Sequence, residues 1–232
     1  MDVLDHGLVV PTGSTEPTEP IERTGGSDVT QVLERGAEGE SFRDEDWYAE
    51  EIGAVRFVDC VFTDVDLTEV TTRGTTFESC TFHTCRFNAS THHATAFVGC
   101  DLRRCSFFSA TLDGCKLAGS VFSDCTLRPL TVAGGAWASA TFRGASLTGL
   151  DLRGVDLREA DLSMADLTGA VLARTRLDGA SVRGTDLSRA DLRGASVGRV
   201  DLTTATLRET RLDLQAAVML AELHGAVVDV GD

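Results

Sequence analysis

The chain has 232 residues, 42% of them hydrophobic, with 36 acids against 21 bases and a formal net charge of −15. That apolar content excludes global disorder, and no apolar run approaches the roughly 20 residues of a membrane span. The acidic balance excludes a nonspecific nucleic-acid binder, whose affinity rests on Lys and Arg against phosphate.

Met1 to Val10 carries Asp2 and Asp5 and no base, which is not the pattern of a secretory signal. Seven Cys without such a signal point to a reducing, cytoplasmic setting. Residues 1–41 hold Pro11, Pro17 and Pro20 among Thr, Ser, Gly and Glu. The composition predicts a mostly unstructured acidic extension, with a short helix near Asp28 to Arg35.

From Phe42 a large residue recurs every fifth position to Leu212, without a slip of phase. Thr72 and His92 are the two exceptions. All seven cysteines stand two positions before such a residue: Cys60, Cys80, Cys85, Cys100, Cys105, Cys115 and Cys125. Later the same slot is mostly Ala, as at Ala160, Ala165 and Ala170. A period of five fits neither a helix at 3.6 nor a strand at 2.0. It fits a ribbon that turns a corner every five residues, with one large and one small side chain inward. Four sides close a coil of 20 residues, so 42–212 gives about 8.5 coils. The predicted fold is all-β, a parallel β-helix held by backbone hydrogen bonds between coils.

Residues 20 apart stack in such a fold. Cys60, Cys80 and Cys100 form one column, and Cys85, Cys105 and Cys125 another. Linear columns do not make a tetrahedral metal site, so small buried thiols are expected, with no metal and no cofactor. Thr72 and His92 stack as well. They mark a polar pocket, a locally bulged side or a hydrogen-bonded inward pair. Pro129 cannot donate to the inter-coil ladder, and a local kink is expected there. No nucleophile elbow, phosphate loop or zinc-protease motif is present, so no enzymatic activity is expected.

Outward Asp precedes many of the inward residues: Asp151, Asp156, Asp161, Asp166, Asp186, Asp191 and Asp201. Carboxylates on a slender rod could imitate duplex phosphates, or could merely hydrogen-bond the turn. Residues 213–232 change period. Asp213 can cap a helix through His224, with Gly225 after its end, and Ala226 to Val230 reads as a short strand. Leu214, Ala217, Val218 and Ala221 form an apolar stripe widened by Leu220 and Leu223. This segment is expected to cap the last coil. Its stripe is expected to pair two copies isologously, the alternative being a monomer cap.

The A-(D/N)-L-x-x pattern, as in Ala160 to Ala170, resembles the pentapeptide-repeat family, a right-handed quadrilateral β-helix. GSVFSDCTLRPLT (Gly119 to Thr131), LRGVDLRE (Leu152 to Glu159) and LDLQAAVMLAELHGAVVD (Leu212 to Asp229) are similar to its MfpA-like, Qnr-related subgroup. That resemblance implies a homodimer joined at its C-termini and DNA mimicry toward DNA gyrase, with protection from fluoroquinolone-type poisons. It assigns the seven Asp to the partner-binding surface, with neither direct nucleic-acid contact nor membrane contact. The other reading is an interaction scaffold for a different protein, its Asp purely structural.

Overall fold

The computed structural model describes Ile21–Arg23 and residues 29–229. One pentad shows why the chain turns. In Ala160–Met164 the Leu162 side chain points inward with Ala160. Met164 then adopts a left-handed backbone, φ 63°, and Ala165 N–H donates to Leu162 C=O across the corner at 3.0 Å. The remaining amides leave the coil. Asp161 N–H reaches back to Ala140 C=O, and Leu162 N–H reaches forward to Ser181 C=O, both at 2.9 Å.

Every ladder therefore steps by 20 residues. The first face runs Ser41, Val61, Thr81, Asp101, Val121, Thr141, Asp161, Ser181. The second holds Asp46, Asp66, Arg86, Ser106 and Thr126, then Ser146, Asp166, Asp186 and Thr206. The third holds Glu51, Thr71, Thr91, Thr111 and Thr131, then Asp151, Val171, Asp191 and Arg211. The fourth runs Arg56, Thr76, Ala96, Lys116, Ala136, Asp156, Arg176, Ser196. Strands proper occupy about the first five turns, in parallel sheets of six, five and four strands. Beyond Ala133 the coils are joined by single bridges.

Of the five-residue inward series, all but Val132, Leu207 and Leu212 are buried. Its first half is aromatic. Phe62 stacks on Phe82 at 4.6 Å, Phe77 on Phe97 at 4.9 Å and Phe87 on Phe107 at 4.5 Å. Its second half is mostly Leu. The thiols lie in the small inner slot, and they have a polar task there. Cys80 Sγ donates to Phe57 C=O and Cys85 Sγ to Phe62 C=O, 23 residues back. Ser120, Thr185 and Thr210 make the same bond with hydroxyls.

The rod begins before Phe42. Ala37–Glu38 pairs with Phe57–Val58, and Ile21–Arg23 lies parallel to Glu40–Phe42. Helix α1, Val29–Arg35, packs Val32 and Leu33 into the core. The expectation of an unstructured segment up to Ser41 is therefore corrected for these residues. Apolar Val32 and Leu33 fill the open end of the first coil, which would otherwise leave its aromatic interior wet. Residues 1–20 and Asp28 lie outside the described residues.

The inter-coil lacing is interrupted once. Among the described residues no bridge joins Thr126 to Ser146 or Thr131 to Asp151, whereas the first and fourth faces continue through Val121–Thr141 and Lys116–Ala136. The interruption follows Arg128–Pro129, a cis peptide. Proline has no N–H to offer the ladder. A groove of about 570 Å³ opens here, lined by Pro129, Leu130, Val132, Leu150 and their neighbours.

Candidate partner-binding surface

The corner geometry that makes the fold also positions the seven candidate Asp. Each one accepts the backbone N–H two residues on: Asp151 from Arg153, Asp156 from Arg158, Asp161 from Ser163 and Asp166 from Thr168. Asp186 does so from Ser188, Asp191 from Arg193 and Asp201 from Thr203. The distances run from 2.8 to 3.3 Å. This Asx turn ties one carboxylate oxygen to the corner and leaves the other for solvent or a partner.

Three of the second oxygens are taken. Arg153 pairs with Asp151 at 3.0 Å, and Arg193 with Asp191 at 2.7 Å. Arg158 and Arg176 both hold Asp156 at 2.8 Å and leave it only 4% exposed. The Arg158 guanidinium holds the Asp156 carboxyl below the usual range. Arg193 brings that of Asp191 down to about 2. Hydrogen bonds from Thr168 and Ser188 lower Asp166 and Asp186 in turn.

The seven do not share a face. Asp161 stands on the first, Asp166 and Asp186 on the second, Asp151 and Asp191 on the third and Asp156 on the fourth. Asp166 and Asp186 are direct neighbours on adjacent coils. Asp166, Asp186 and Asp201 join Asp161 as the members without an Arg partner among the described residues. Residues 139–212, which contain all seven, carry ten acids and eleven bases.

The charge sits elsewhere. Residues 36–69 carry eleven acids and two bases. Asp46 bridges directly to Asp66, so like charges stack with nothing between them, until Arg86 pairs with Asp66 at 2.8 Å. Exposed Tyr48 lies among these acids, and its phenol is pushed up by a hydrogen bond to Glu69. The excess was visible in the sequence, but belonged in that reading to a loose extension rather than to ordered coils.

The expected C-terminal helix is α2, Leu214–Leu223. Asp213 caps it by accepting from Ala216 N–H at 2.9 Å, and also takes Gly194 N–H at 2.8 Å. Gly225 follows with φ 85°. The helix meets the rod through Ala216, Met219 and Leu220. Of the predicted stripe, Leu220 belongs to that contact, while Leu214, Ala217 and Leu223 face out and Val218 and Ala221 are half-buried. Ala216 and Met219 were not legible as docking residues, since the stripe count favoured the larger apolar set. The expected strand from Ala226 is not formed: Ala226–Asp229 is unpaired chain with Val227 98% exposed. Val230 lies outside the described residues.

Thr72 and His92 form a hydrogen-bonded inward pair, Thr72 Oγ1 to His92 Nδ1 at 2.7 Å. Among the described residues no group of three or more His, Cys, Asp or Glu is arranged to hold a metal ion. None of their helices is long and apolar enough to cross a membrane.

The repeated corner, its inward Leu and its Asx-bound Asp agree with a family profile described as pentapeptide repeats, which matches eight copies over residues 93–126, 138–172 and 170–208. The chain belongs to the pentapeptide-repeat family. A second profile, the luminal domain of SV2A/B/C, matches residues 32–107 of this pentapeptide-repeat protein. A search of curated proteins returns no match. Among solved structures it is similar to full-length QnrB1, a plasmid-mediated fluoroquinolone resistance protein. That match has 19% identity and a TM-score of 0.41, covering 80% of this chain and 100% of that one. It is also similar to HetL of Nostoc sp. strain PCC 7120, a pentapeptide-repeat protein involved in heterocyst differentiation regulation. There the identity is 17% and the TM-score 0.38, covering 82% and 95%.

Proposed function

We propose that this pentapeptide-repeat protein is a non-enzymatic DNA mimic that binds DNA gyrase as a homodimer, modulates it and protects it from fluoroquinolone-type poisons. The observation that carries this reading is a solid rod whose outward carboxylates are fixed by the corner itself. A filled core leaves no chamber for chemistry, so action falls to the surface. An Asx turn presents each carboxylate at low entropic cost. The resemblance of Gly119–Thr131, Leu152–Glu159 and Leu212–Asp229 to the MfpA-like subgroup supports the choice of partner. The outward Leu214, Ala217 and Leu223 support pairing through α2, and the compartment in which gyrase works is the cytoplasm.

The test is gyrase supercoiling and drug-induced DNA cleavage with Asp161, Asp166, Asp186 and Asp201 changed together to Asn. Asn keeps an oxygen for the turn and removes only the charge. The expected outcome is at least about a tenfold rise in the protein concentration needed for half-inhibition, since each lost charged contact is worth on the order of 1 kcal/mol. A parallel set, Asp44, Asp46, Asp64 and Asp66 to Asn, asks whether the acidic first coils carry the contact instead. Indifference of both sets would turn the reading to a scaffold with structural Asp, which the seven Asx turns favour.

A further inference from the structure

A five-residue period leaves one choice open. In an ordinary sheet a one-residue slip turns the apolar side outward and is rejected. Here a slip of five keeps every large residue inward. Hydrophobic patterning alone does not separate a coil of 20 residues from one of 15 or 25.

The two polar members of the inward series do separate them. Thr72 and His92 are 20 apart and stand in register on the third face. With 15-residue coils His92 would stack on Phe77 and Phe107, and with 25-residue coils on Leu67 and Leu117. Thr72 would meet Phe87 or Phe97. In each alternative a buried imidazole and a buried hydroxyl lose each other, with only hydrocarbon in reach.

The native arrangement satisfies every ring nitrogen. Ser90 Oγ donates to Phe87 C=O at 2.7 Å. Its lone pairs are thus what it offers His92 Nε2, 2.9 Å away, so Nε2 carries the proton. Nδ1 is then an acceptor and takes the Thr72 hydroxyl. Thr72 Oγ1 accepts in turn from Thr95 Oγ1 at 2.6 Å. All four side chains are buried, and the rings of Phe87 and Phe97 stand edge-on to the imidazole at 5.8 and 5.5 Å.

We infer that the Thr72–His92–Thr95–Ser90 cluster is a register lock, which selects the 20-residue, four-sided coil as the chain folds. It works by exclusion. A misregistered coil buries unpaired polar groups, and the native one alone closes the set. One buried polar pair setting the register of an otherwise repetitive apolar core has a counterpart in coiled coils.

The test reads register directly after refolding from denaturant. Arg73 and His93 are outward neighbours in the native register. Arg73 would neighbour Asn88 in a 15-residue coil and Val98 in a 25-residue coil. Three cysteine pairs, Arg73→Cys with His93→Cys, Asn88→Cys or Val98→Cys, are refolded, oxidised and mapped by mass spectrometry. They are compared in the native background and in Thr72→Val/His92→Leu. With the lock only the first pair should cross-link. Without it the slipped pairs should rise about tenfold, as the penalty for burying unpaired groups is gone. Exclusive native cross-linking in the double variant overturns the proposal. A second comparison stands even if the double variant fails to fold: Thr72→Ser keeps the hydroxyl and should refold in register, whereas Thr72→Val should not. Equal behaviour of those two also overturns it.

Discussion

Each Asp in the slot before an inward Leu serves the corner with one oxygen, so only the second is available to anything else. At Asp156 even that oxygen is held, by Arg158 and Arg176. At Asp161 it is not. Residue by residue, the sequence reads the slot correctly and its electrostatics poorly, because Asx turns are local whereas Arg176 arrives from the next coil. His92 is the opposite case, since its partner 20 residues away follows from the period itself. Burial, with the nearby His93, brings the His92 imidazole down to about 3 from 6.5. Below pH 6.5 the unfolded chain takes a proton that the folded one refuses, so stability is full above that pH and falls as pH drops. Between pH 6.5 and 4.5 the loss should be about 2–3 kcal/mol. Urea midpoints across this window check it, and Thr72→Val/His92→Leu should flatten the slope. Gly135 is a second residue with a sharp expectation. Its φ is 138°, and a Cβ there would sit 2.7 Å from both Cys115 C=O and Trp137 Nε1. Gly135→Ala should cost more than about 2 kcal/mol, read as a lowered thermal midpoint. The same change at Gly144, open to solvent though also left-handed, should cost only about 1 kcal/mol.

At the level of elements, α2 shows how a period read from sequence can find a helix and misplace its contact. Asp213, the apolar stripe and Gly225 predict its start, face and end. The side that docks is instead chosen by what the last coil offers, namely half-buried Leu207 and Leu212, and small Ala216 comes closest. Removing the cap by Asp213→Ala should cost about 1 kcal/mol and loosen α2 first, visible as faster amide exchange in Leu214–Leu223. The outward Leu214 and Leu223, 76% and 46% exposed, belong to the pairing proposed above. Leu214→Glu with Leu223→Glu should shift sedimentation from dimer to monomer at micromolar concentration while leaving the circular dichroism of the rod unchanged. A native chain already monomeric under those conditions would dismiss the pairing. Helix α1 escaped definition for a different reason: seven residues give too short a window for an apolar stripe, and Val32 and Leu33 acquire their meaning only from the open coil beneath them.

Across the whole molecule, period fixes architecture with little help from anything else. Phe42 to Leu202 is one uninterrupted count, and the ladder obeys it. The distribution of charge is not deducible from that count. An acidic first two coils and a nearly neutral second half make the rod electrically lopsided. Any partner bound through the acidic end should therefore release with salt over a Debye length of about 10 Å at 0.1 M, whereas contacts through α2 should persist. Titrating ionic strength in a binding assay separates the two ends. The interrupted lacing after Arg128–Pro129 has a mechanical counterpart. A rod stitched on four sides is equally stiff in every direction, but one with two adjacent seams open behaves like a slit beam. It bends readily in the plane that widens or closes the slit and resists bending in the other. Between Thr126 and Asp151 a single strap, Arg128 to Ser146 at 3.1 Å, spans the slit. A cleft that clamps this rod along its length would feel a jointed object, with the elbow near its middle.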